Sequence, residues 1–339
     1  MLFRITRESG IPLMGCIAFG VIDRGTNLLQ VRASTPCNLK CLFCSTGAND
    51  PEKHPTEFIV DCDYLIDWVK KVCEVKGNGI EINLDSVGEP TAYPDLVKLV
   101  KGLKEISQVS KVSIQTNGTL LEDNKIKQLE EAGLDHINIS IDTTNVEQGA
   151  YLRGCGTYSV QKVINVAKKI HESKIELLIA PVWLPGVNDE GIKNLIKLAK
   201  ELNCKIGIQK YDVYKYGRKM KEAKKINWWK FYRQLELWEK EFEIKLKVSA
   251  EDFEIEKRER IPEVFEKGEK IKVKVVAPGW QLGQMIGVAR DRCISINDCL
   301  AKLGDTVNIK ILEAKNNIYV AEIPGKRLKV PFLETETFV

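Results

Sequence analysis

The chain has no apolar run approaching the roughly 20 residues that cross a bilayer. Met1 to Asp23 shows no basic start followed by an apolar stretch. Neither a membrane span nor a secretory leader is therefore expected. Histidine is scarce. His54, His136 and His171 are the only three, they lie far apart, and none has ligand-like spacing. With no second cysteine pair beside them, the usual zinc patterns are excluded. Net charge is nearly absent too: 51 basic against 47 acidic residues leave +4, a total that names no partner. A disulfide framework suits small secreted chains. Ten cysteines in 339 residues without an export signal point instead to a reducing cytoplasm. What remains is a chain with 44% hydrophobic residues, enough to build one large or two unequal domains.

Against this background three cysteines stand together. Cys37, Cys41 and Cys44 follow the spacing C-x3-C-x2-C, with Phe43 just before the third. Three thiolates this close can hold three irons of a cubane and leave the fourth iron open. A fourth cysteine would suggest electron transfer; its lack suggests chemistry on a bound molecule.

From about residue 29 to 210 strand-like and helix-like stretches alternate. The strand candidates are Leu29–Ala33, Ile80–Asp85, Val109–Gln115, Ile137–Ile141, Ile175–Val182 and Lys205–Lys210. Helical patterns lie between them at Tyr64–Val75, Asp95–Ile106, Asp123–Ala132, Val160–Glu172 and Glu190–Leu202. In the last of these, Ile192, Leu195, Ile196 and Ala199 recur at i, i+3, i+4 and i+7, the stripe of a helix packed on a sheet. Six such units predict an α/β domain with a parallel sheet and helices outside, too few strands for a closed eight-stranded barrel. Residues 1–28 read as a β extension, a hairpin beside the sheet. The charged stretch Glu251–Lys270 reads as a linker. Beyond it, alternating Ile271/Val273/Val275, Val307/Ile309/Ile311 and Ile318/Val320, with turns between them, predict a small all-β barrel.

The cysteine motif resembles that of the radical S-adenosylmethionine (SAM) superfamily, and residues 29 to about 215 resemble its molybdenum-cofactor-biosynthesis-protein-A-like branch. The resemblance implies a partial (β/α)6 barrel. It also implies a [4Fe-4S] cluster held by Cys37, Cys41 and Cys44, with SAM on the open iron and reductive cleavage to a 5'-deoxyadenosyl radical. An electron donor such as ferredoxin or flavodoxin is implied as well. It places Gly88, Glu89 and Pro90 against the amino group of SAM, a role that suits a carboxylate acceptor beside a glycine that admits close approach. Thr116 and Asn117 then belong to the pocket floor, Ser140 and Asp142 to the ribose hydroxyls, Arg153 to the carboxylate and Phe43 to the adenine. Strand alternation alone puts Ser140 and Asp142 on one side. A turn at Asn117-Gly118, a capping role for Asp142 and an exposed-loop role for Arg153 are the competing readings. Leu184-Pro185-Gly186-Val187-Asn188-Asp189 and Gly207-Ile208-Gln209-Lys210-Tyr211 match the branch's fifth and sixth strand exits.

The C-terminal module, 267–325, resembles a TRAM domain, an RNA-binding barrel attached to RNA-modifying enzymes. That implies phosphate contacts from Lys272, Lys274, Arg290 and Arg292 and a stacking surface at Trp280. Independently, Lys215 to Arg233 holds eight basic residues and one acid, among them Lys215, Arg218, Lys219 and Lys221. Tyr214, Tyr216, Trp228, Trp229, Phe231 and Tyr232 are interleaved. Such a rim beside a barrel mouth would hold a polyanion and take an unstacked base; the competing reading is an amphipathic helix packing its aromatics on the barrel. The expected layout is thus a β extension (1–28), a radical SAM partial barrel (29–215), a basic, aromatic helical extension and linker (216–266), a TRAM-like barrel (267–325) acting as a docking module distant from the chemistry, and a tail (326–339). The expected function is modification of RNA, foremost a tRNA nucleotide, in the cytoplasm and without a membrane partner. The alternatives are an enzyme for a small molecule or peptide, with the C-terminal module as scaffold, and an RNA-binding protein with a structural cluster. Methylation, sulfur insertion and carbon-bond formation all stay open. A methylthiotransferase fits poorly, since only Cys16 precedes the motif. Cys155, between Gly154 and Gly156, is the candidate reactive thiol, against the plainer role of a small hydrophobe.

Overall fold

The computed structural model describes residues 1–325; the expected tail, 326–339, lies outside the described residues. In chain order the first elements are strands β1 (Leu2–Ile5), β2 (Gly20–Asp23), β3 (Leu28–Arg32) and β4 (Glu57–Val60), helix α1 (Cys62–Lys76), β5 (Ile80–Leu84), α2 (Leu96–Lys104) and β6 (Val109–Thr116). Next come α3 (Asp123–Glu131), β7 (His136–Ile139), α4 (Val146–Leu152), α5 (Val160–Glu172), β8 (Glu176–Ile179), β9 (Val182–Trp183), α6 (Asp189–Glu201), β10 (Lys205–Ile206) and β11 (Gln209–Lys210). Helix α7 (Trp228–Phe242) leads to the C-terminal strands β12 (Lys270–Pro278), β13 (Met285–Ala289), β14 (Arg292–Asn297), β15 (Thr306–Lys315) and β16 (Ile318–Glu322).

The main sheet runs β10-β8-β7-β6-β5-β3-β2, parallel from β3 to β10 and antiparallel only between β2 and β3. Spatial order follows chain order, as successive β/α units with outer helices require. The helices have local reasons to start where they do. Asp61, Ser159 and Asn227 accept from the N–H groups of Tyr64, Lys162 and Lys230 and so cap α1, α5 and α7. The α6 stripe Ile192, Leu195, Ile196 and Ala199 is fully buried.

Three expectations change. Residues 1–28 do not hold their own hairpin: β1 runs parallel beside β4, and the hairpin is β2–β3, across the assumed boundary. The single fifth strand breaks into β8 and β9 because Pro181 has no N–H for the ladder. The sixth breaks with it, β10 pairing β8 and β11 pairing β9. The charged 251–270 stretch is pinned rather than loose: Asn27 bonds Glu254 O and Glu256 N, and Ile261 N donates to Asp23. Asp23 also forms a fully buried pair with Lys76, 2.9 Å apart.

The five C-terminal strands close into a barrel in the order β12-β13-β14-β16-β15, around a core that includes Val275, Ile294, Ile309, Ile311 and Tyr319. This barrel is fastened to the N-terminal segment: Cys293 N donates to Met14 O and Tyr319 N to Gly15 O, at 2.8 and 2.9 Å.

Candidate functional site: a cysteine loop facing a two-walled chamber

The cysteine loop leaves β3 and is built by contacts from all around it. Gly88 sits so close that a Cβ there would lie 2.0 Å from Thr35 O, so the Gly88 backbone approaches the loop itself, and Glu89 N donates to Pro36 O. Lys40 N and Leu42 N donate to Arg153 O and Leu152 O at the end of α4. On the other side Arg218 N donates to Cys44 O. The Arg218 guanidinium bonds Cys41 O, Gly47 O and Ala48 O at 3.3, 3.2 and 2.5 Å. Arg218, expected on RNA, is committed to the loop's carbonyls.

Cys41, Phe43, Cys44 and Arg153 line one cavity of about 1020 Å³. Burial pushes the Cys37 thiol up to about 12 and raises Cys41 as well, so a metal must displace protons to bind these sulfurs. Among the described residues no group of three His, Cys, Asp or Glu is placed to hold a single metal ion. The three thiols do not form a mononuclear site. All ten cysteines are free.

At and behind the cavity wall lie two polar groups. Glu89, 2% exposed, ends β5's exit and ties it to β6's. Its Oε1 accepts from Thr91 N, Thr91 Oγ1 and Thr116 Oγ1, and its Oε2 from Asn117 N. Pro90 opens the short helical turn that follows. Asn117 Nδ2 donates to Asn38 Oδ1 in the cysteine loop. The second group joins β7's exit to α4: Arg153 Nη2 donates to Ser140 O and lies 2.6 Å from Asp142 Oδ2, while Asp142 Oδ1 accepts from Val182 N. Burial works against the Arg153 charge, but Asp142 and then Cys41 outweigh it and the group ends above its ordinary value. Burial raises the Asp142 carboxyl and Arg153 pulls it back. The Arg153 approach is off the angle of a hydrogen bond, so Asp142 Oδ2 remains a buried acceptor without a donor. Arg153 Nη1 also reaches Cys41 Sγ at 3.6 Å, and its guanidinium lies 5.9 Å from the Phe43 ring centre. Arg153 is thus buried, not an exposed loop residue.

The other wall of the cavity belongs to the C-terminal barrel, through Trp280, Gln284, Ser295, Asn297 and Lys315. The module expected to stand apart from the chemistry forms a face of the same chamber. Trp280 is 5% exposed and stacked on His54, which removes it as an open surface for a base. Arg290 bonds Val264 O and Glu269, and Arg292 bonds Asn317. Both arginines are engaged within the barrel. Lys272 and Lys274 are exposed on β12, and Lys215, Lys219 and Lys221 are exposed beyond β11. Cys155 is half-buried and bonded to Thr157, which brings its thiol below the ordinary value. It does not line the cavity.

Residues 32–199 match the family model described as Radical SAM superfamily. The chain belongs to the radical SAM superfamily. It is 42% identical to an uncharacterized protein of Methanocaldococcus jannaschii over 92% of this chain and 79% of that one. It is 31% identical to the GTP 3',8-cyclase of Lactiplantibacillus plantarum over 53% of this chain, spanning about half (52%) of that enzyme. Among solved structures, Streptococcus suis SuiB bound to S-adenosylmethionine superposes with a TM-score of 0.52 at 19% identity, over 70% of this chain and 49% of that one, a likeness of fold. The superfamily's cofactors are a [4Fe-4S] cluster and SAM. The residues present fit them: three cysteines on one loop, with Cys41 and Cys44 lining the chamber, an Asp142 oxygen that has no hydrogen-bond donor, and a buried cation at Arg153.

Sequence reading missed Thr46, His54 and Asn188. Asn188 Nδ2 donates to Asp142 O and Val182 O. Only its place in the Leu184–Asp189 run signalled it; nothing in the spacing signalled Thr46 or His54.

Proposed function

We propose that this radical SAM enzyme modifies a nucleotide of RNA, with transfer RNA as the foremost substrate. Cys37, Cys41 and Cys44 would hold three irons, and Phe43, Glu89, Ser140, Asp142 and Arg153 would orient SAM. When bound, the reduced cluster and SAM supply hydrogen abstraction from a substrate carbon. The chain's own residues then bind and orient. Arg153 balances negative charge at Cys41 and Asp142, and the Glu89 bonds to Thr116 and Asn117 fix the strand exits.

One observation carries the RNA reading: an exposed aromatic and cationic surface continuous with the chamber. Tyr214, Lys215 and Tyr216 line the chamber, and the side chain of Lys210 beside them is buried and paired with Asp212. Lys210 Nζ lies 5.0 Å from the ring centre of Trp228, and Lys215 Nζ lies 5.1 Å from that of Tyr216. Helix α7 buries Phe231, Leu235 and Trp238, and the rings of Phe231 and Trp238 pack against Trp183 on β9. It leaves Trp228 55% and Trp229 63% exposed, with Arg233 over Trp229. Aromatic faces with cations beside them stack unpaired bases without reading their sequence. The resemblance of the C-terminal barrel to a TRAM domain supports the same reading, with Lys272 and Lys274 as its exposed cations.

A gel shift with total transfer RNA tests this. Micromolar protein at low salt is expected to retard the RNA. Trp229→Ala should weaken binding about tenfold, the worth of one stacked base, without loss of stability. Unchanged mobility of the RNA with the unaltered protein would sink the proposal. The walled chamber, together with the kinship to enzymes named for GTP, favours a second reading, a free nucleoside phosphate. Saturable GTP binding without any RNA shift would establish that one instead.

A further inference from the structure

The C-terminal barrel reaches the cysteine loop through the turn between β12 and β13. Trp280 in that turn stacks on His54 with ring centres 3.7 Å apart and planes 11° from parallel. Two residues on, Leu282 N donates to Lys53 O at 2.8 Å. His54 Nε2 lies 2.9 Å from Thr46 O. Thr46 Oγ1 donates to Val87 O at 2.6 Å and lies 3.2 Å from Cys44 Sγ. Two residues, His54 and Thr46, therefore stand between the indole and the third thiol of the motif. Of the polar ring nitrogens in the stack only His54 Nε2 is bonded; His54 Nδ1 and Trp280 Nε1 have no partner. The stack is thus held by ring contact and by the Thr46 bond.

The segment from Cys41 to His54 is an arch fixed by Leu42 N on Leu152 O, by Thr46 Oγ1 on Val87 O, and from two further sides. Arg218 holds it through the carbonyls of Cys41, Gly47 and Ala48. The barrel holds it through the stack on His54 and through the Leu282 bond to Lys53 O. Trp280 also belongs to the chamber wall, with 5% of its surface exposed. The barrel has separate fastenings to the N-terminal segment at Met14 and Gly15, so it stays docked when the indole is removed.

The geometry points to Trp280 and His54 as positioning residues: through their stack, the C-terminal barrel holds the cluster-binding loop in the register its three thiolates need. This role rests on family membership alone and is independent of the RNA reading. In it the barrel is part of the radical SAM site rather than an appendage.

The test uses full-length protein without cluster. Amide hydrogen exchange of Trp280→Ala is expected to accelerate about tenfold across residues 41–54, the effect of losing one ordering contact, with β12–β16 and the main sheet unchanged. Trp280→Phe, which keeps a ring on His54, should restore most of the protection. His54→Phe, which keeps the stack but loses the Thr46 bond, should fall between. After anaerobic reconstitution and desalting, Trp280→Ala should retain less iron per chain than Trp280→Phe. Unaltered exchange and iron retention in Trp280→Ala would overturn the assignment. So would acceleration spread equally over the barrel strands, which would mark a general loosening.

Discussion

The partial barrel and the C-terminal barrel face each other across one chamber, yet they contribute to it in different ways. The partial barrel brings its residues on short motifs at strand exits: Cys37 to Cys44 after β3, of which Cys41, Phe43 and Cys44 line the chamber, and behind it Gly88 to Pro90 after β5, Thr116 and Asn117 at the end of β6, and Ser140 and Asp142 after β7. The C-terminal barrel brings single residues from different strands and turns, among them Trp280, Ser295 and Lys315. The first region could take up its chemistry by changing loops on a standing sheet, as folds with strand-end sites do. The second acts only by docking, and its residues have no common spacing. Chemistry follows local motifs here, and positioning follows long-range packing.

The sharpest way to break this division is to compare cysteines on its two sides. Cys41→Ala is expected to reduce iron after anaerobic reconstitution to background, because a three-ligand site has no spare thiolate. Cys299→Ala in the barrel core removes only one buried sulfur, and iron content should not change. Iron and sulfide analysis of the two variants decides the matter. Equal losses would place cluster binding on both regions.

The next largest effect concerns the join. Asp23 accepts from Gly25 N, Ile261 N and the buried Lys76, so one carboxylate ties the β2–β3 hairpin, α1 and the strand-less segment leading into the C-terminal barrel. Asp23→Ala leaves Lys76 buried without its counter-charge, a change that costs about 3–5 kcal/mol. Chemical denaturation should show that loss. If only the C-terminal barrel melts early, the two regions fold as separate units; if the whole curve shifts, the join is part of one cooperative core.

Much of the partial barrel could be read from sequence because its signals are local. The first four predicted strands and all five helices match observed elements to within a few residues, whereas the last two strands each divide in two; caps and periodic stripes set the helices and β-branched runs the strands. The break at Pro181 was legible too, since a proline cannot donate within a ladder, but the apolar run around it masked the cue. What could not be read are contacts between residues distant in the chain. Arg218 lies 177 residues from Cys41, and in sequence it is one more cation in a basic run. Trp280 looked like a solvent-facing aromatic because a β-turn tryptophan carries no sign of what will cover it. The α7 aromatics show the converse: amphipathic spacing allowed Trp228 and Trp229 to be buried, but the face centred on Phe231, Leu235 and Trp238 takes the core instead.

The smallest expected effect lies at the contact between the two regions, and it depends on pH. Burial, the largest influence, holds the His54 imidazole below its ordinary value of 6.5, partly offset by the Thr46 carbonyl and by Asp50, while Lys53 and Arg218 push the same way as burial. The folded state therefore favours neutral His54. The stability this contributes is complete above the unfolded value near 6.5 and is lost as pH falls through the lower folded value, because the unfolded chain takes up the proton first. His54→Phe keeps a ring on Trp280 and removes the titration. Between pH 7.5 and 5.5 the unaltered protein should lose slightly more thermal stability than His54→Phe, by a degree or a few for a chain of about this size. Identical pH profiles would mean that the imidazole stays as protonatable when folded as when unfolded, and that the stack leaves the ring open to solvent protons.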